Sequence, residues 1–126
     1  MNEQPFTIYI VEDNEWFNKL LVHVLSLNLD YKVKGFYTAK EFFKCLDDEP
    51  NVVTLDYNLP DMDCAEILSK IKEYNPNIEV LVISAQGGVE TAVKLIKQGA
   101  SDYILKDKDI RQRLLKVIDN LHKHQS

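Results

Sequence analysis

The stretch FTIYIVEDN, residues 6–14, joins a largely apolar run to an acidic pair, and the same kind of run recurs along the chain. Its apolar part, Phe6–Val11, is rich in β-branched residues and predicts a β-strand. Four further runs of this kind follow, at Tyr31–Phe36, Val52–Leu55, Val80–Ile83 and Tyr103–Leu105. Runs that are apolar throughout, such as Val80–Ile83, are typical of parallel strands that helices cover on both faces.

Between these runs the apolar residues recur at the helical period of about 3.6. The pattern is clearest at Phe17, Leu20, Leu21, Val24 and Leu25, and again at Ile110, Leu114, Val117, Ile118 and Leu121. Weaker helical patterns fill Ala39–Leu46, Ala65–Tyr74 and Val89–Gln98, the last stopped by Gly99. Alternating strands and helices predict an α/β fold, a doubly wound (βα)5 domain. Its five-stranded parallel sheet would lie between two helical layers in an αβα sandwich, for which one common strand order is 2-1-3-4-5.

Length and charge limit the functions open to the chain. Its 126 residues suit one domain, and 15 Lys and Arg against 20 Asp and Glu give a net charge of −5. Without a basic cluster we expect no direct nucleic-acid binding. No apolar run approaches the ~20 residues of a membrane span and no signal-peptide pattern precedes residue 6, so we expect a cytoplasmic protein without membrane association. Cys45 and Cys64 stand in no zinc or disulfide spacing.

We expect a single domain over residues 1–126, with a core at about 6–121, because no repeat, low-complexity tract or linker interrupts it. Residues 122–126 are polar and predict a loose tail. Such a tail is either the natural end of the chain or the start of a linker to an effector domain.

Acidic residues stand at the carboxyl ends of two predicted strands. Glu12 and Asp13 follow the first strand, and Asp56 follows the third. The carboxyl ends of a doubly wound sheet converge on one crevice, so three carboxylates should share a pocket. Capping of the following helix would explain Asp13 or Asn14 as well as a functional role does, but it explains Glu12 less well. Crowded carboxylates repel one another unless a cation lies among them, and Mg²⁺, which prefers oxygen ligands and phosphate, suits such a site.

A hydroxyl and a cation stand at the ends of two more strands. Ser84 ends the fourth strand, and the pair Gly87-Gly88 after it lets the backbone approach a ligand closely. Lys106 ends the fifth strand, where its charge would neutralise a carboxylate or a phosphate. Singly, Ser84 is more often a turn residue and Lys106 a solvated one. Together, at four strand ends, these residues indicate phosphoryl chemistry.

From about Thr7 to Leu121 the chain resembles the receiver domain of two-component response regulators, in the CheY-like superfamily. Segments 56–63 and 99–106 resemble the family's loop after strand 3 and its entry into strand 5. The family's metal-site acids, phosphoacceptor, hydroxyl residue and lysine are matched by Glu12 with Asp13, Asp56, Ser84 and Lys106. The resemblance implies a flavodoxin-like topology and a signalling domain of a phosphorelay, not an enzyme with a separate substrate.

The resemblance also implies how the domain works. A sensor histidine kinase, a histidine phosphotransfer protein or a small phosphodonor would deliver a phosphoryl group to Asp56, and the receiver itself would catalyse transfer and later hydrolysis. Mg²⁺ would be bound directly by Asp13 and Asp56, through a water by Glu12, and by the backbone carbonyl of Asn58.

By the same resemblance, Lys106 and the Ser84 hydroxyl would hold phosphate oxygens, and movement of Ser84 would bias the nearby loops. Tyr103 matches the family's aromatic switch position. A structural role, as a strand residue half-buried against a helix, would also explain a tyrosine there. The face formed by helix 4, strand 5 and helix 5 would be the output surface, through which the domain forms a homodimer or acts on an effector domain or a downstream protein.

Two positions depart from the family's pattern. The family usually has Pro after its lysine, in a cis Lys-Pro peptide, whereas Asp107 follows Lys106 here. The Lys106-Asp107 bond is then either trans in a rearranged loop, or cis at a cost of about 2.5–4 kcal/mol. Cys64 stands where the family tends to have Gly, so this backbone either avoids positive φ or tolerates strain. Nothing near Cys64 in the sequence indicates a reactive thiol.

Three other functions share part of this pattern. A receiver-like module would bind partners without phosphorylation, but the complete set of site residues argues against it. A Mg²⁺-dependent aspartyl-phosphate phosphohydrolase usually carries a second Asp two residues after the nucleophile, where this chain has Asn58. A flavodoxin-like cofactor binder needs a Ser/Thr/Gly-rich phosphate loop after the first strand, where Glu12 and Asp13 would repel a phosphate.

Overall fold

The computed structural model describes residues 5–125. The elements in chain order are β1 (Phe6–Val11), α1 (Glu15–Ser26), β2 (Tyr31–Phe36), α2 (Ala39–Phe43), β3 (Val52–Asp56), α3 (Cys64–Tyr74), β4 (Glu79–Ser84), α4 (Val89–Lys97), β5 (Asp102–Leu105) and α5 (Ile110–Gln125). All strand pairs are parallel, in the order β2-β1-β3-β4-β5. This confirms the predicted (βα)5 doubly wound fold. None of the helices in this part of the chain has the length and apolar character that crossing a bilayer requires.

Each face of the sheet carries its own hydrophobic core. The first core contains Val53, Leu55, Val80 and Val82 of the sheet, with Phe42, Leu68 and Leu95 of α2, α3 and α4. The second contains Ile8, Ile10, Leu81 and Ile83, with Leu21 of α1 and Leu114 and Ile118 of α5. Because side chains alternate between faces along a strand and both faces are covered, the central strands are apolar at nearly every position.

Helix α2 is shorter than the sequence pattern predicted. It ends at Phe43 instead of Leu46, and a 3-10 turn covers Leu46–Asp48. Glu49 then adopts a left-handed conformation with φ of 52°, where the chain reverses to enter β3. Leu46 is still 7% exposed, so the hydrophobic pattern identified its burial correctly but did not distinguish an α-helix from a tighter turn.

The prediction of a loose tail from residue 122 was wrong, since α5 continues to Gln125. The ring of His122 lies 4.7 Å from that of Phe6 and 5.3 Å from that of Tyr31. Gln125 accepts a hydrogen bond from Asn51 Nδ2 at 2.9 Å. These contacts hold the last helical turn against the amino-terminal edge of the sheet. Met1–Gln4 and Ser126 lie outside the described residues.

One core hydroxyl has no hydrogen-bond partner. Among residues 5–125, Thr54 Oγ1 is the only buried side-chain nitrogen or oxygen without one, and Thr54 is 1% exposed. We expect Thr54→Val, which keeps the shape but removes the hydroxyl, to raise the free energy of unfolding by about 1–2 kcal/mol. Urea denaturation followed by circular dichroism measures this change.

Thr54→Ser is the matched control, because it keeps the hydroxyl and removes the methyl group. This variant should be less stable than the wild type by about 1 kcal/mol. If Thr54→Val were no more stable than the wild type, the hydroxyl would have to be hydrogen-bonded in solution.

Candidate functional site

The carboxyl ends of β1 and β3 bring three carboxylates together. Parallel pairing aligns Val11 with Leu55, so the residues that follow them emerge at the same edge of the sheet. One carboxylate oxygen from each of Glu12, Asp13 and Asp56 lies within 4.8 Å of the others. Glu12 is 3% and Asp56 6% exposed, whereas Asp13 faces solvent. The acidic pocket predicted from the sequence is therefore present, and it is open on the side of Asp13.

Crowding strongly affects the ionisation of Asp56. Burial, followed by the negative charge of Glu12, raises the pKa of Asp56 from 3.8 to about 7. The charge of Lys106 and the amide of Asn58, which donates to Asp56 Oδ1 at 3.3 Å, lower this pKa without compensating. A divalent cation would relieve the repulsion, and a set of carboxylate oxygens is what Mg²⁺ prefers. The residues present therefore fit a magnesium ion.

Lys106 is paired with Glu12 and not with Asp56. Its Nζ donates to Glu12 Oε1 at 2.8 Å and lies 4.5 Å from the centroid of the Phe17 ring. The other carboxylate oxygen of Glu12 accepts the amide of Asn14 at 2.9 Å. The sequence predicted that this lysine would neutralise a carboxylate or a phosphate, and the structure identifies Glu12 as the carboxylate. It also shows that Phe17 contacts the site, which the sequence analysis missed.

The start of α1 explains why these groups are held in place. Asn14, and not Asp13, caps the helix, since Asn14 Oδ1 accepts the amide of Phe17 at 2.8 Å. Asn18 is 2% exposed, and its Nδ2 donates to the carbonyls of Glu12 and Phe36, both at 2.9 Å. These bonds tie α1 to the ends of β1 and β2. Asn18 was also missed, although a polar residue on the buried face of a predicted helix is a usable signal.

Ser84 and Tyr103 meet at one backbone carbonyl. The Ser84 hydroxyl donates to the carbonyl of Gln86 at 3.0 Å and accepts the Gln86 amide at 3.1 Å. The hydroxyl of Tyr103 donates to the same carbonyl at 2.8 Å. Because Ser84 is fully buried and Tyr103 partly exposed, this carbonyl connects the inside of the site with the surface.

The structure gives the backbone conformation at Lys106-Asp107 and at Cys64, the two positions that depart from the family's pattern. No peptide bond in residues 5–125 is cis, so Lys106-Asp107 is trans. Asp107 instead accepts the amide of Asp109 at 2.9 Å and pairs with Arg113, which orders the approach to α5. Cys64 is the first residue of α3 and does not have a positive φ. Burial raises the pKa of its thiol to about 12, which makes a reactive thiolate unfavourable.

Comparison with known proteins agrees with this fold. Residues 8–119 match the response regulator receiver domain. The chain is 31% identical over 126 residues to the chemotaxis protein CheY of Treponema pallidum, covering 97% of this chain and 86% of that protein. It is 30% identical over 118 residues to the probable transcriptional regulatory protein TcrX of Mycobacterium tuberculosis, covering 90% of this chain and 49% of that protein.

A solved structure, the CheX-CheY-BeF3-Mg complex from Borrelia burgdorferi, is similar with a TM-score of 0.82 and 27% identity, covering 94% of this chain and 90% of that chain. The chain therefore belongs to the response regulator receiver domain family, the signalling modules of two-component systems. This confirms the family inferred from the sequence. The chain spans about half the length of TcrX but most of the length of the Treponema CheY.

Proposed function

We propose that this chain is a phosphoacceptor switch, which receives a phosphoryl group on Asp56 from the phosphohistidine of a sensor histidine kinase or of a histidine phosphotransfer protein. The observation that carries the proposal is the position of Asp56. It is a buried carboxylate at the end of the central strand β3, next to two more carboxylates, and the positive charge of Lys106 acts on it to lower its pKa. Membership of the receiver family supports the same function.

In this reaction a carboxylate oxygen of Asp56 attacks phosphorus as the bond from phosphorus to the histidine nitrogen breaks. An acyl phosphate forms on Asp56, and the histidine ring, which has taken up a proton from solvent on its other nitrogen, leaves as neutral imidazole. The amide of Asn58 holds Oδ1, which leaves Oδ2 as the attacking oxygen. Water later hydrolyses the acyl phosphate and returns the free carboxylate.

Mg²⁺ would be held by Asp13 and Asp56 directly, by Glu12 through a water, and by the backbone carbonyl of Asn58. The ion would supply charge neutralisation for the phosphoryl oxygens and keep Asp56 ionised. The Borrelia CheY structure is a complex that includes Mg²⁺ and BeF3, and the oxygen-only ligand set of this pocket supports the same ion here.

The switch would begin when Lys106 and Ser84 bind phosphoryl oxygens. To do so, the Ser84 hydroxyl has to leave the carbonyl of Gln86, to which Tyr103 is also bound. The change in this loop would then reach Tyr103 and the adjacent surface. In this way a charge added to Asp56 would alter a protein-binding face on the other side of β4.

Intact mass spectrometry after incubation with acetyl phosphate and Mg²⁺ tests the proposal. We expect the wild type to gain one phosphoryl group, and neither Asp56→Asn nor wild type in EDTA to gain any. A receiver known to accept acetyl phosphate serves as the control for the donor. A folded wild type that is modified neither by acetyl phosphate nor by a phosphorylated histidine kinase would overturn the proposal and favour a module that binds without phosphorylation.

We further propose that phosphorylation promotes a homodimer through the face of α4, β5 and α5. Val89, Val93 and Ile96 form an apolar stripe on α4 and are 81%, 45% and 47% exposed. The charged residues Glu90, Lys94 and Lys97 line the same groove as Val89 and Val93, and this mixture of charges suits pairing of two identical faces. An effector domain or a downstream protein would read the same face.

Light scattering coupled to size-exclusion chromatography measures this association. Phosphorylated wild type should elute as a dimer and phosphorylated Val93→Glu as a monomer, because a charge in the stripe is unfavourable to bury. Leu29→Glu, the same kind of change at a more exposed apolar residue outside this face, is the control and should still dimerise. A phosphorylated wild type that stays monomeric would contradict the proposal.

The cytoplasmic location and the lack of nucleic-acid binding stay predictions from the sequence.

A further inference from the structure

We propose that Phe17 is a positioning residue, which holds the ammonium group of Lys106 at the phosphoacceptor site through the face of its aromatic ring. The inference rests on the proposed phosphoryl transfer to Asp56. Lys106 Nζ lies over the ring at 4.5 Å from the centroid, well inside the distance of about 6 Å at which a cation is attracted by an aromatic face.

Among residues 5–125, two close contacts hold the Lys106 ammonium group, and only the contact with Phe17 is outside the acidic pocket. Its Nζ contacts Glu12 Oε1 and the ring of Phe17. Glu12 is also one of the three carboxylates that would surround a cation. A cation in the pocket, which Glu12 would reach through a water, would weaken the hold of Glu12 on Lys106, whereas the uncharged Phe17 ring would not bind that cation. The ring would therefore keep its contact with Lys106 when the pocket is occupied.

Phe17 is well suited to fix the position of a flexible side chain. Its amide is bound by the cap residue Asn14, and its side chain, 9% exposed, packs in the core with Leu21. The Lys106 side chain is 24% exposed, so it is partly desolvated and the attraction to the ring is stronger than at an open surface. Without the ring, the Lys106 side chain, which has four rotatable bonds, would be held by Glu12 alone and would lose more conformational entropy during the reaction.

A leucine at this position would fill similar space in the core but would offer no negative ring face. We therefore expect Phe17→Leu to lower the rate constant for phosphorylation by acetyl phosphate by about three- to tenfold, measured with saturating Mg²⁺. Phe17→Leu alone would not separate positioning from altered packing, so a graded change of the ring is also needed.

Site-specific incorporation of fluorinated phenylalanines supplies that change. Mono-, di- and trifluorophenylalanine at position 17 keep the ring shape while they progressively weaken the negative charge on its face. The phosphorylation rate should fall stepwise along this series while the thermal midpoint stays nearly constant. The same substitutions at Phe6 are the matched control, because Phe6 lies in the same core and its ring contacts are with Tyr31 and His122. The rate should not change there.

Equal rates along the position 17 series, with the wild type phosphorylated normally, would overturn the role of Phe17 and leave the proposed function intact. A wild type that takes up no phosphoryl group would overturn the proposed function, and this inference with it. As a direct readout, the ε-methylene protons of Lys106 should resonate upfield in the wild type and return towards ordinary lysine values in Phe17→Leu.

Discussion

Asp56→Asn should be more stable than the wild type at pH 8 without divalent cations, by about 1–4 kcal/mol. Removal of the proposed phosphoacceptor should stabilise the protein, because the Asp56 carboxylate is buried at 6% exposure and lies next to Glu12. Burial and then Glu12 raise its pKa to about 7. At pH 8 the folded wild type carries an ionised Asp56 that is buried beside the Glu12 carboxylate. In the unfolded chain the same carboxylate is ionised in water, so ionisation favours unfolding.

The gain should decrease as the pH is lowered and vanish near pH 4. Between about pH 4 and pH 7 the folded wild type keeps a proton on Asp56 that the unfolded chain has released. Its free energy of unfolding therefore falls as the pH rises through this range. Below it, both states carry a neutral group at position 56, as the variant does at every pH. Urea denaturation of both proteins in EDTA at pH 4.5, 6 and 8 measures the difference.

Asp30→Asn changes the net charge equally at an exposed position and is the control for general charge effects. It should give no comparable pH-dependent gain. Mg²⁺ should raise the stability of the wild type at pH 8 and that of Asp56→Asn much less, because binding to the folded state alone is stabilising. Equal stability of wild type and Asp56→Asn at pH 8 in EDTA would mean that Asp56 is not under electrostatic strain.

Lys106→Met should lower the phosphorylation rate constant with acetyl phosphate by about 100-fold. In the proposed reaction the ammonium group would bring a positive charge to the phosphoryl oxygens, and methionine keeps a flexible apolar stem beside Phe17 without that charge. The variant also leaves Glu12 without its ion-pair partner, so folding and Mg²⁺ binding have to be checked by circular dichroism and by titration. Rates come from intact mass measured at successive times.

Lys116→Met, on the exposed side of α5, is the matched control and should react at the wild-type rate. A Lys106→Met protein that is folded, binds Mg²⁺ and reacts within about threefold of the wild type would show that the charge of Lys106 is not needed for transfer. That outcome would also remove the reason for Phe17 to hold it.

Residues whose place follows from the order and pattern of the strands were predictable from the sequence. Strands such as Val80–Ile83 were predictable because burial on two faces leaves few polar positions. Asp56 and Lys106 were predictable as members of one site because parallel strands end at the same edge of the sheet. Both signals are carried by residue type and position along the chain, which a single sequence contains.

The features that were missed depend on three-dimensional packing. The pairing of Lys106 with Glu12 and Phe17 depends on side-chain conformations across strands far apart in the chain. The helical end of α5 depends on contacts of His122 with the other end of the sheet, and polar composition alone suggested a tail. Periodicity marked Leu46 as buried, but it did not reveal the change to a 3-10 turn.

The meeting point of Ser84 and Tyr103 has a consequence for evolution. Both hydroxyls bind the main chain of Gln86, and the Gln86 side chain itself is exposed. Any residue except proline supplies the same carbonyl and amide. We therefore expect position 86 to accept any residue other than proline, so that this loop can change its surface chemistry while Ser84 and Tyr103 keep the carbonyl that joins them.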